Sequence, residues 1–316
     1  MANEKVLAII GPTAVGKTRL SVELAQRFNG EIISGDSMQI YRGMDIGTAK
    51  ITPAEMDGIP HHLIDIKDPH ESFNAAEFQR LASGLISDIT ARGRLPIIAG
   101  GTGLYIQSVL YGYQFPDMPS DEAYRGLLEE KAAALGPEAV YRELQAVDPE
   151  SAARIPYQNT RRVIRALEIY HCTGRTMSEQ LEDQPKELKY DSLVVGLDME
   201  REKLYSRINQ RVDIMAAQGL KEEVQTFYRQ GLRDCQSIQA IGYKELYDYF
   251  DGTVSFEEAL ENLKQNSRRY AKRQLTWFRN KMEVAWFDMG SGDPFPKKVE
   301  DISAFIAGKL KIKANR

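Results

Sequence analysis

Short apolar runs bounded by glycine, proline or aspartate alternate with longer stretches whose apolar positions recur at helical spacing. Val6 to Ile10 reads as a short buried strand, followed by Leu20, Val22, Leu24 and Ala25 on a helical run free of proline. Glu31 to Ser34 and His62 to Ile66 read as further strands, and Leu95 to Ala99 as a proline-containing one. Ser72 to about Thr90 predicts a helix with Phe78, Leu81, Leu85 and Ile89 on one stripe, and Leu104 to Leu110 predicts another. Strands alternating with helices in this way predict a doubly wound parallel α/β sheet.

The pattern changes after Tyr111. The run Phe115-Pro116-Asp117-Met118-Pro119 breaks it, and from Ser120 to about Leu181 only helical signals follow, punctuated by Gly136-Pro137 and Asp148-Pro149. A strand pattern returns from Asp191 to Leu197. The expected organisation is an α/β core of residues 1–115 and 191–316, with residues 116–190 as an inserted all-helical domain. An insertion at the C-terminal edge of the sheet would overhang a site there, as a lid or clamp. Downstream, Arg201 to Gly219 forms a helix with a stripe of Leu204, Ile208, Val212 and Met215. Further helices run to about Arg279, with a last strand at Val284 to Phe287 and a closing helix at Ile302 to Leu310.

The first strand leads into Gly11-Pro12-Thr13-Ala14-Val15-Gly16-Lys17-Thr18, the P-loop spacing in its strand–loop–helix setting. Such a loop wraps backbone N–H groups and a helix N-terminus around a di- or triphosphate. Lys17 would reach the terminal phosphate and Thr18 would ligate Mg2+. The motif specifies a polyphosphate, but neither its identity nor the chemistry.

Asp36 follows the second strand, where an open parallel sheet lines its ligand crevice. It suits a general base or a Mg2+ ligand through water, and equally a turn or cap residue. Thr102, in a glycine-flanked turn, suits a substrate contact or a helix cap. Arg207 and Arg211, four apart, suit phosphate recognition or a surface pair facing Glu202 or Glu222. His61 and His62 have no metal-ligand spacing with any cysteine, and read as structural or substrate-adjacent.

Composition narrows the classes. No apolar run among the 316 residues could span a membrane, and no signal peptide is evident, so a cytoplasmic protein is expected. Cys172 and Cys235 read as two buried reduced thiols. A net charge of −4 excludes a generally sticky nucleic-acid binder. Two local clusters remain: Arg161, Arg162, Arg165 and Arg175, and the acid-free stretch from Lys264 to Lys281, interleaved with Tyr270, Trp277 and Phe278. Cations with aromatic faces suit single-stranded RNA, and suit a solvated helix face equally well. On these residues alone, a nucleoside kinase and a non-catalytic RNA-binding ATPase stay open.

Taken together, several segments carry a more specific likeness. GPTAVGKT (11–18), ISGDSMQIYRGMDIGTAK (33–50), PHHLIDI (60–66), IIAGGTGLYI (97–106), RRVIRALEIYHCTGR (161–175), RINQRVDIM (207–215), GLKEEV (219–224), QAIGYKEL (239–246) and RRYAKRQLTWFR (268–279) follow in order over nearly the whole chain. They resemble the bacterial tRNA dimethylallyltransferase family. The likeness implies a P-loop NTPase-like parallel sheet flanked by helices. It also implies transfer of a dimethylallyl group from dimethylallyl diphosphate to the exocyclic amine of the adenosine 3′ to the anticodon. The nucleotide-binding P-loop would then hold a prenyl donor's diphosphate, with Mg2+ and Thr18, and neither ATP turnover nor an obligate protein partner is implied.

By the same likeness Asp36 is the general base, Thr102 contacts substrate, and Arg211 holds the diphosphate. The tRNA contacts fall on Asp36, Ser37, Met38 and Gln39, on Thr102 and Arg125, and on Arg161, Arg162, Val163, Ile164 and Arg165. Gln239, Ala240, Ile241, Gly242, Tyr243 and Lys244 complete them. The target base would be flipped from the loop, and the insertion would clamp the anticodon stem. Val15 departs from a common serine, at a position whose contact is mainly backbone. The length, without a zinc-finger extension, implies a prokaryotic member, and a monomer is expected.

Overall fold

Alternation between glycine-marked turns and apolar segments fixes the order of elements in the computed structural model, which describes residues 4–115 and 121–315. The first part of the chain forms β1 (Lys5–Ile10), α1 (Lys17–Phe28), β2 (Gly30–Gly35), α2 (Pro53–Met56), β3 (His61–His62), α3 (Ala75–Ala91), β4 (Leu95–Gly100) and α4 (Gly103–Tyr111). The middle contains α5 (Glu122–Leu135), α6 (Pro137–Val147), α7 (Pro149–Arg154), α8 (Thr160–Thr173) and α9 (Met177–Glu182). After them come β5 (Asp191–Asp198), α10 (Arg201–Ala217), α11 (Leu220–Arg229), α12 (Tyr243–Phe250), α13 (Phe256–Lys281), β6 (Ala285–Asp288) and α14 (Phe295–Leu310). Two compact units result, Met1–Gly112 with Leu188–Arg316, and Tyr113–Glu187. Pro116 to Ser120, with most of the proline-marked break, lies outside the described residues.

The first unit is the parallel α/β sheet that the pattern predicts, in strand order β3-β2-β4-β1-β5-β6. Its central strands are apolar on both faces because helices cover both. Leu7, Ile9, Ile97, Val195 and Leu197 pack with residues of α1 and α14, while Val6, Ala8, Ile10, Ile33 and Ile98 are also buried. Register decides what happens at the C-terminal edge. Ile10 pairs with Gly100 and with Gly196, and Gly35 also pairs with Gly100. The segments leaving β1, β2 and β4 therefore start level with one another. At ordinary strand spacing, β1 and β2, separated by β4, lie roughly 10 Å apart.

The close approach of β2 and β4 makes a stability prediction. A Cβ on Gly100 would stand 2.2 Å from the carbonyl oxygen of Gly35, whereas one on Gly84, within α3, would meet nothing within 4 Å. Gly100→Ala is expected to cost about 3 kcal/mol or more, through strand displacement. Gly84→Ala is expected to stabilise by about 0.5–1 kcal/mol. Urea titration of the two variants checks both signs.

Three expected boundaries move. The closing helix expected at Ile302 to Leu310 already begins at Phe295, behind Pro294 at its N-cap and Pro296 in its first turn. The strand expected at His62 to Ile66 is only His61–His62, because Leu63 (φ 61°) and Asp65 (φ 54°) turn left-handed and end the ladder. The helix expected from Ser72 begins at Ala75, because the Asn74 side chain caps it, accepting from Glu77 N at 2.9 Å. Both cysteines are free but half-buried, not fully buried as expected. Among the described residues no helix is long and apolar enough to cross a membrane.

In the helical unit, Leu128, Val140, Leu144, Val163, Ile164 and Leu167 form a separate core. Glu168 is fully buried beside it. It accepts from Arg125 Nη2 at 2.8 Å and Arg165 Nη1 at 2.7 Å. Burial alone would raise its carboxyl, but the two guanidinium hydrogen bonds outweigh that and hold it below its ordinary range.

Candidate active site

Three strand ends supply the site. Beyond β1, Ala14 (φ 66°) and Gly16 (φ 107°) take left-handed backbone, the alternation that lets consecutive N–H groups converge on an anion. Lys17 Nζ donates to the carbonyls of Gly11 at 3.0 Å and Pro12 at 2.8 Å. Beyond β2, Asp36 Oδ1 accepts from Met38 N at 2.9 Å, an Asx turn that leaves the second oxygen for another donor. Beyond β4, Thr102 Oγ1 accepts from Ser37 N at 3.1 Å and donates to Ser37 Oγ at 3.4 Å. Thr102 sits at the start of α4 but makes no side-chain cap hydrogen bond. The cap reading is thereby excluded, and its hydroxyl instead fixes the loop that carries Asp36.

These groups share space. One cavity of about 90 Å3 is lined by Lys17, Thr18, Asp36, His61, Arg211 and Tyr270, among others. A second, of about 330 Å3, is lined by Asp36 to Met38, by Gln239, Ala240, Ile241 and Lys244, and by Arg211 and Tyr270. Asp36, Arg211 and Tyr270 thus belong to both, as do Thr13 and Thr48. The larger volume falls in the range of small-molecule sites, about 300–1,000 Å3. Arg211 is therefore a lining residue rather than half of a surface pair, and the more exposed Arg207 lines with it, Lys17 and Thr18 a third, open cavity of about 840 Å3.

Electrostatics tie Lys17, Asp36 and Arg211. Burial pushes the Lys17 ammonium down to about 8, with Asp36 opposing and Arg211 reinforcing the shift. Arg211 is likewise held below its ordinary value, first by burial, with Asp36 opposing. Two cations beside one carboxylate form a pocket with an unbalanced positive charge, which an anion would relieve. An anion here stabilises protonated Lys17, so binding takes up a proton once the free lysine has lost its own. Once corrected for the ionisation of diphosphate itself, which also titrates across this range, affinity for inorganic diphosphate is thus expected to be flat below pH 8 and to fall as pH rises above it. Titration calorimetry across that window checks the sign, and Lys17→Arg should abolish the break.

The residues also fit a hydrated cation. Among the described residues no group of three or more His, Cys, Asp and Glu could cage a metal. Mg2+ keeps several waters and pairs with phosphates, so it needs few protein ligands. Thr18 offers a hydroxyl, and His61 lines the same cavity with its Nε2 buried and without a hydrogen-bond partner. His61 Nδ1 lies 2.8 Å from Ile59 O and must donate there, which makes Nε2 an acceptor for a water.

Comparison with known proteins decides the family. The IPP transferase model matches residues 39–281. The chain belongs to the IPP transferase family. It is 64% identical over 312 residues to the tRNA dimethylallyltransferase of Geobacillus thermodenitrificans, covering 99% of both chains. The solved tRNA isopentenylpyrophosphate transferase of Bacillus halodurans superposes with a TM-score of 0.75 at 57% identity, over 98% of this chain and 97% of that one. A eukaryotic dimethylallyltransferase solved acting on tRNA gives 0.83 at 32% identity, over 99% of this chain and 81% of that one.

Within this family member, the expected RNA-contact residues divide by burial. Gln239, Ala240, Ile241 and Lys244 line the larger cavity. Tyr243 does not; it is fully buried, and its hydroxyl donates to Glu223 Oε1 at 2.6 Å, so its role is structural. Gly242 turns the chain there, at φ 104°, and its N–H donates to Glu245 Oε2 at 2.7 Å. Gln39 spends its amide on Thr48 and Ala49 carbonyls. On α8, Val163 and Ile164 point into the unit's own core, so any nucleic-acid contact from this turn falls to exposed Arg161 and Arg162. Arg125 and Arg165 are already paired with Glu168, and Arg175 with Asp183.

The basic stretch on α13 also splits. Phe278 is buried, Lys264 is paired with Asp213 and Glu261, and Arg273 lines the larger cavity. His62 is structural, 2.7 Å from the buried Glu31. The functional residues that sequence reasoning did not single out for the site are Tyr270 and Gln274, which reach the strand-end loops from α13.

Proposed function

We propose that the protein transfers a dimethylallyl group from dimethylallyl diphosphate to N6 of the adenosine 3′ to the anticodon of tRNA, releasing diphosphate. The observation that carries this is that Asp36 lines one small cavity with Lys17, Thr18 and Arg211 and an adjoining larger one with residues of the 239–244 segment. The donor's diphosphate suits the first space and an extruded base the second.

The exocyclic amine is a poor nucleophile, because its lone pair is delocalised into the ring. A carboxylate that accepts an amine proton restores nucleophilicity as the nitrogen attacks the allylic carbon. The N–C bond forms, the C–O bond to diphosphate breaks, and the oxygen leaves with the electron pair. Lys17 and Arg211 meet that growing negative charge with positions already fixed by the fold. Thr102 holds the Asp36 loop through Ser37. Mg2+ bound with Thr18 would supply further neutralisation of the leaving group. Arg161 and Arg162 of the helical unit would meet RNA phosphates, as would exposed Lys272 on α13. The reading places a monomeric protein in the cytoplasm.

Labelled dimethylallyl diphosphate, Mg2+ and undermodified tRNA test it, with ATP in a parallel tube. Label is expected to enter tRNA without ATP. Phosphoryl transfer from ATP with no prenylated product would favour a kinase and overturn the reading.

A further inference from the structure

We infer that Gln274, with Tyr270 one helical turn before it, is the positioning element that holds the donor loop and the acceptor loop in register; this rests on the proposed transfer reaction. Gln274 is buried on α13, with 6% of its surface exposed. Its Oε1 accepts from Thr13 N at 2.9 Å, inside the P-loop. Its Nε2 donates to Gly101 O at 3.0 Å, one residue before Thr102. One amide thus uses both its ends on two loops that leave different strands. The chain offers no other side chain that bonds to both loops among the described residues.

The fit is tight. A Cβ on Gly101 would stand 2.1 Å from Gln274 Nε2, so glycine there is what lets the amide reach the carbonyl. Tyr270 adds to this face of α13: it lines both cavities with Asp36, and burial pushes its phenol up to about 12, so it stays neutral. The hydrogen-bonded set runs from Thr13 through Gln274 to Gly101, and from the adjacent Thr102 to Ser37 beside Asp36. Phosphate-binding N–H groups and the carboxylate are thereby set by one helix. Reaction requires the allylic carbon and the amine nitrogen to meet within a few tenths of an ångström, so a slack brace costs turnover more than binding.

The two ends of the amide cannot be exchanged for a carboxylate. An ionised Gln274→Glu side chain still accepts from Thr13 N but sets an oxygen against Gly101 O. Protonated, it donates to Gly101 O and restores both bonds. Burial raises a carboxyl's pKa, bringing that change toward neutral pH. The activity of Gln274→Glu relative to wild type is therefore expected to rise about tenfold as pH falls from 8 to 6. Gln274→Met, which fills the space without either bond, is expected to lower single-turnover rate about 10²-fold at all pH values. Its affinities for tRNA and for diphosphate should change by less than about threefold.

Single-turnover transfer and the two binding constants would be measured for wild type and both variants over that pH range. Circular dichroism and urea titration would confirm that each variant is folded. A flat Gln274→Glu to wild-type ratio, or full rates in Gln274→Met, overturns the positioning role. Loss of binding in step with rate assigns the residue to fold maintenance and also overturns it. Failure of the wild type itself to prenylate tRNA overturns the reaction and is read separately, from the same tubes.

Discussion

Asp36→Asn is expected to lower the single-turnover rate of prenyl transfer by ~2–4 orders of magnitude, the range of a general base. Asparagine is the informative choice because its side-chain oxygen can still accept from Met38 N, the 2.9 Å bond that shapes the turn. Loop geometry is kept and only the proton acceptor goes. Donor affinity should hold or tighten, because a negative charge beside Lys17 and Arg211 is removed. Rapid quench with labelled donor gives the rate, and calorimetry with diphosphate gives the affinity. A rate within threefold of wild type would remove Asp36 from the base role.

Arg211→Ala should cost about 10²–10³-fold in turnover, the loss typical when one preorganised charge-stabilising group is deleted. The guanidinium is partly buried and lines the cavities on both sides of Asp36, so its charge is weakly screened. A second consequence is independent of rate. Arg211 is the charged group that depresses Lys17, after burial itself. Its removal should move the pH break in diphosphate affinity upward from about 8. Arg211→Lys keeps a charge but loses the planar fork, and should fall between wild type and alanine. An unchanged pH break would separate Arg211 from Lys17, and wild-type turnover would separate it from the leaving group.

What the sequence disclosed follows from how local each feature is. Gly11 to Thr18 was legible because a phosphate loop is a short-range backbone device. The site value of Asp36 was legible because residues past parallel strands line a crevice, and the register of Gly35 and Gly100 bears that geometry out. Gln274 was not legible as a site residue, since its partners Thr13 and Gly101 lie 261 and 173 residues away. Thr102 was ambiguous for a similar reason, because its partner Ser37 belongs to another loop. Runs of neighbouring residues misled most. Arg161 to Arg165 and Gln239 to Lys244 read as continuous contact segments, yet α8 turns the first set to different faces, and the turn at Gly242 sends Tyr243 inward from the second. Val163, Ile164 and Tyr243 were thereby carried to surfaces they do not occupy. The shortened β3 has a plainer cause, two left-handed residues at Leu63 and Asp65 that no residue type there announces.

The most direct measurement is nucleoside mass spectrometry of an unmodified tRNA after incubation with the protein, dimethylallyl diphosphate and Mg2+, for wild type beside Asp36→Asn. The account predicts one dimethylallyl group, on N6 of the adenosine 3′ to the anticodon, with the variant yielding almost none in the same time. A prenyl group at another atom or nucleotide, or equal product from both proteins, would contradict it.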